Sequence, residues 1–103
     1  RKYTHMPEQV PSNQIQIKAS DDHLKGEYAN VTQVLHTKEE FVLDFLNVFP
    51  PTGTLNARII VSPGHFKRML LAMQDNLGKY EAQFGAVAVS EAPANKIGFQ
   101  VKE

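Results

Sequence analysis

The stretch Glu40-Phe-Val-Leu-Asp-Phe-Leu-Asn-Val-Phe49 decides the architecture, because a strand made from it is apolar on both faces. Phe41, Leu43, Phe45 and Phe49 fall on one side. Val42, Leu46 and Val48 fall on the other, with Asp44 among them. A strand with one wet face would alternate apolar and polar residues, so this one needs cover twice. A chain of 103 residues has one core to offer. The second face calls for another molecule, and a second copy of the chain is the expected cover.

Outward from that strand the pattern is regular. Tyr28 to His36 reads as a preceding strand, with Tyr28, Asn30, Thr32 and Val34 on one face and Ala29, Val31, Gln33 and Leu35 on the other. Thr37 to Glu40 is a polar loop of hairpin length. Pro50-Pro-Thr-Gly53 must end the central strand, since proline has no N–H for a ladder and glycine suits a turn. Leu55 to Val61 reads as the third strand, rich in β-branched residues at its end.

Ser62-Pro63 then opens a helix, with serine as N-cap and proline at the first helical position. Phe66, Met69, Leu70, Met73, Leu77, Tyr80 and Phe84 follow at spacings of three and four, and Gly85 closes the run. A helix of about 22 residues is roughly 33 Å long, and a nine-residue strand spans roughly 30 Å. One helix is therefore expected to shield one sheet face and leave the other open.

The flanks are weaker. Residues 1–5 are expected to be vector-derived, because His5-Met6 is what a common cloning site encodes, and 6–13 to be a loose segment with two prolines. Gln14 to Lys18 alternates and has the pattern of a short edge strand; Asp21 to Gly26 is turn-like. Residues 14–85 are expected to form a single domain and 86–103 a tail, whose order the sequence leaves open. Ala86 to Val89 has the makings of a short strand, and Ile97 to Val101 of a docking segment. The expected fold is α+β. It is an antiparallel sheet of three to four strands in the order β-β-β-α, with one long C-terminal amphipathic helix on one face and a dimer contact on the other.

Composition narrows the function classes. Basic and acidic residues number 11 each, and removing Arg1 and Lys2 leaves a net charge of −2. That disfavours a nucleic-acid binder, which carries a basic excess. With no cysteine, disulfides, thiolate metal sites and cysteine nucleophiles are excluded. No signal peptide or long apolar run is visible, so the cytoplasm is the expected compartment and no membrane the expected partner.

Asp44 is the residue that needs an explanation, since a carboxylate between Val42 and Leu46 is costly to bury unpaired. Arg58 is the one arginine in the strands, on a face with Asn56 and Ile60. An Asp44–Arg58 pair across the sheet or across a dimer seam is expected, with Val42, Leu46, Val48 and Ile60 around it. The alternative is a solvated Asp44 at an edge. No second acid, histidine or metal ligand stands beside it in sequence, so no catalytic residue is assigned. His5, His23, His36 and His65 share no helical i, i+4 spacing, and no metal site or cofactor is expected. Gly53 and Gly64 lack the spacing of a phosphate loop. Met69, Met73 and Phe66 read as core packing, and Asn30, Asn76 and Tyr80-Glu81 as structural polar groups.

Tyr28-Ala-Asn30, the Glu40-Phe-Val-Leu-Asp-Phe45 strand, Ser62-Pro63, and Asn76 through Tyr80-Glu81 to Phe84-Gly85 occur in that order. Together they resemble the small prokaryotic proteins catalogued as domain of unknown function 3467, from about Ile15 to Gly85. The resemblance implies a compact α+β domain with no activity, cofactor or catalytic residues to carry over. The leading expectation is a non-enzymatic homodimer, a small binding or scaffolding module open to an unidentified protein partner. A SecB-like chaperone holding extended chains is the alternative, by likeness of outline alone. A weak nucleic-acid binder stands third.

Overall fold

The computed structural model describes residues 14–91, 93 and 96–101; the segments read as vector-derived (1–5) and loose (6–13) lie outside the described residues. The elements run α1 (Asp21–Lys25), β1 (Val31–His36), β2 (Phe41–Phe49), β3 (Thr52–Val61) and α2 (Pro63–Phe84). The strands form one antiparallel sheet in the order β1-β2-β3, with β2 central. The sheet and long helix are those expected from the strand periodicity and the Ser62-Pro63 start.

Local chemistry explains the joints. The Thr37 hydroxyl accepts from the Glu39 and Glu40 N–H groups, and the Thr37 N–H donates to the Glu40 carbonyl, closing the first hairpin. Pro50 and Pro51, joined by a cis bond, form the second turn, and Phe49 pairs directly with Thr52. Thr52 and Gly53 therefore belong to β3 rather than to a longer break. Ser62 accepts from the His65 N–H at 3.2 Å, and Gly85, at φ 96°, ends α2 where a side chain would be strained.

Two expectations about added strands fail. Gln14 to Lys18 is not a strand; Ile15 and Ile17 are both exposed, so its alternation has no sheet edge to pair with. Ala86 to Val89 adds none either, leaving the sheet at three strands. The turn-like Asp21 to Lys25 winds into a single helical turn capped by Ser20.

The cover provided by α2 is shorter than its length allows. Phe66 stacks on Phe41 with ring centroids 4.1 Å apart, anchoring the first turns on the face that carries Phe41 and Leu43. No residue of the helix is buried, and Leu70, Met73, Leu77, Tyr80 and Phe84 stay 44–65% exposed. Among the described residues the buried apolar core consists of Leu43 and Leu46, each at 4% exposure. The Cα radius of gyration is 17.6 Å, where a compact chain of this length has about 13 Å.

Candidate functional site

Register places the sequence-derived site residues in rows across the sheet. Val42 lies opposite Ile60, Asp44 opposite Arg58, and Leu46 opposite Leu55, with a bulge between the last two rows that leaves Asn56 as the extra residue. Val42, Asp44, Leu46 and Val48 share one face of β2, as the period of two requires. Asp44 and Leu46 are buried, Val42 and Val48 half-buried, and Arg58 and Ile60 exposed.

Arg58 donates from Nε to Asp44 Oδ1 at 2.7 Å and from its terminal nitrogen to Oδ2 at 2.9 Å. This fork matches both carboxylate oxygens at once. The two hydrogen bonds hold the Asp44 carboxyl below its ordinary value; desolvation pushes it up, and the guanidinium charge adds to the lowering. The same hydrogen bonds raise Arg58. Asp44 is wholly covered while Arg58 is 47% exposed, so the cover is one layer deep, with the guanidinium forming part of it. The same guanidinium lies over the ring of Phe99 in the tail, 5.4 Å from its centroid, in a cation–π contact.

The tail reaches further along this face. Lys96 to Val101 line an open groove with Leu46, Val48 and Arg58, and Ser90, Glu91 and Pro93 line a second with Tyr28 to Val31, Val48 and Pro50. The face expected to be open to a second copy is thus partly clad by the chain itself. Leu35 and Ile60, nearer the first hairpin, remain exposed.

Polar side chains knit the margins. Asn30 accepts from the Val48 N–H at 2.8 Å and donates to the Val48 carbonyl at 2.9 Å, so its amide extends the ladder before β1 begins. Asn56 donates to the Tyr28 carbonyl at 2.6 Å. Glu81 accepts from the Val87 N–H at 2.9 Å and ties the tail to the helix. Gln33, on the β1 face with Val31 and Leu35, joins the site as well. It pairs with Asp44 in the β1–β2 register, and its Oε1, like Oδ1 of Asn47, is buried with no partner among the described residues. The hairpin loop alone sets that register, so Gln33 could have been placed beside Asp44 from sequence.

The histidines stay apart. His23 is in α1, His36 tilts against Phe41, and His65 sits 2.8 Å from Arg68 on the same helix. No group of three potential metal ligands occurs among the described residues. None of their helices is long and apolar enough to cross a membrane. A carboxylate with both oxygens engaged by arginine, and titrating low, is poorly suited to accept a proton near neutrality.

Neither the curated proteins nor the solved structures yield a match to the chain. The family model described as Protein of unknown function (DUF3467) matches residues 2–89, from within the N-terminal segment to just past the helix cap at Gly85, and the chain belongs to that family.

Proposed function

We propose that the chain is a non-enzymatic homodimer that serves as a small binding or scaffolding module. The carrying observation is how little of it is buried. Its accessible surface is 9538 Å², whereas a folded monomer of 11.6 kDa exposes about 5,800 Å². Giving the undescribed residues the full area of unfolded chain still leaves an excess of about 1,500 Å², the order of what one subunit contributes to an obligate interface. Two buried leucines make a small core against the entropy of ordering such a chain. A second copy supplies the missing burial. The non-enzymatic reading rests on Asp44, the buried carboxylate, whose two oxygens are both engaged by Arg58.

Light scattering on the eluting protein at micromolar concentration tests the reading. A mass of twice 11.6 kDa is expected, with a thermal midpoint that rises with concentration. A single-copy mass with a midpoint unchanged over a hundredfold dilution overturns it.

One observation favours a second reading, a SecB-like holder of extended chains: the half-exposed helix stripe from Leu70 to Phe84 offers an apolar surface. Dye binding separates the two. A native dimer that strongly enhances an apolar-surface dye keeps that surface open for clients; a silent one has hidden it.

A further inference from the structure

Helix α2 carries an apolar stripe that the sheet leaves largely uncovered. Phe66, Leu70, Met73, Leu77, Tyr80 and Phe84 are spaced 4, 3, 4, 3 and 4 residues apart. Five steps cover 18 residues, so the six form one straight stripe along an α-helix, at spacings that also fit the a and d positions of a short helix pair. Five of the six are exposed, and Phe66 alone is held by the chain's own sheet, through Phe41.

We propose that α2 is the seam of the homodimer, with two copies packed antiparallel about a two-fold axis at Asp75; this rests on the homodimeric reading above. In that register Phe66 meets the partner's Phe84, Leu70 the partner's Tyr80, and Met73 the partner's Leu77. All six seam positions of both chains are matched over the whole helix, with none left over. The partner's Phe84 then closes on the Phe41–Phe66 stack, which gives the most exposed residue of the seam a place to bury.

The flanking charges select this orientation. Lys67 and Glu81 each follow a seam residue and lie on the same side of it. Antiparallel packing sets Lys67 against the partner's Glu81, twice by symmetry. Parallel packing sets Lys67 against Ser62 and Glu81 against Asn76, with no ion pair formed. Glu81 is already steadied by the Val87 N–H through Oε2, which leaves Oε1 for the lysine. The area argues for a copy of the chain, since reciprocal burial of two such helices draws on the excess surface of both at once.

The chain has no cysteine, so single cysteines report the pairing directly. The experiment treats full-length Gln74→Cys and Leu70→Cys with a short bis-maleimide, alongside light scattering of each untreated protein. The two copies of residue 74 lie about 3 Å apart along the axis, and those of residue 70 about 15 Å. Cross-linked dimer from Gln74→Cys and none from Leu70→Cys is expected. Lys67→Glu is expected to weaken the dimer about tenfold, and Lys67→Glu/Glu81→Lys to restore it. A dimeric mass with cross-linking at Leu70→Cys, or at neither site, overturns the helix seam while the homodimer stands. A single-copy mass for the unmodified chain overturns both.

Discussion

Arg58 closes over Asp44 from the neighbouring strand and engages both of its carboxylate oxygens, at 2.7 and 2.9 Å, as its direct register partner. The aspartate is sealed and the arginine is half in water. That asymmetry sets what each substitution should do. Arg58→Met leaves a covered carboxylate with no partner and should lower the urea midpoint most. Asp44→Asn keeps the shape and gives up the charge, and should cost less. Equal midpoints for both variants and the parent would show that the pair is idle.

The pair also has a pH signature. Asp44 titrates lower in the folded chain than its ordinary value of 3.8, so the folded state binds its proton less readily than the unfolded one. Its contribution is present in full above 3.8 and drains away as pH falls through the lowered folded value. Urea midpoints of the parent should therefore fall as pH drops below 3.8, and those of Asp44→Asn should fall less. Parallel curves would assign the acid sensitivity to other carboxylates.

Asn30 does the work of a strand residue with its side chain, trading two hydrogen bonds with the Val48 backbone. Asn30→Ala should cost about 1–2 kcal/mol and speed amide exchange at Val48 relative to Leu43. Unchanged protection at Val48 would mean that water or the tail replaces the amide.

Two sites on α2 should move stability in opposite directions. Ser62→Ala removes the cap on the His65 N–H and should cost about 1 kcal/mol. Gly78→Ala places a methyl where nothing lies within 4 Å and should gain up to about 1 kcal/mol by raising helix propensity. Gly78 follows the seam residue Leu77 on its outer side, so the alanine should leave the dimer intact. A loss of stability or of dimer would reveal a surface packed there.

Leu43 is one of two buried apolar residues among those described. Leu43→Ala should cost about 2–4 kcal/mol, enough to make folding depend visibly on protein concentration if assembly supplies the remaining burial. Chemical denaturation at two concentrations tests this, and coincident curves would argue that the chain stands without a partner.

The strands and the long helix were legible because their signals are local. Alternation from Phe41 to Phe49, the proline pair at 50–51 and the Ser62-Pro63 cap each act within a few residues. Gln14 to Lys18 misled for the same reason: it alternates, but a strand also needs a neighbour to bond with, and alternation does not create one. Asp44 stood out as an anomaly between Val42 and Leu46. Arg58 could be named as its expected mate because three short-looped strands leave little freedom of register.

Residue order along the chain was enough for the three-stranded sheet, the helix after it and the oddity of a carboxylate in an apolar row. How far the helix settles on the sheet, and whether the tail lies over Arg58, depended on the folded whole. These are contacts between distant segments, set by competition for the same surfaces, and periodicity counts which side chains want cover without saying which surface provides it. The half-exposed run from Leu70 to Phe84 came to light only once the sheet had formed and left it unclaimed.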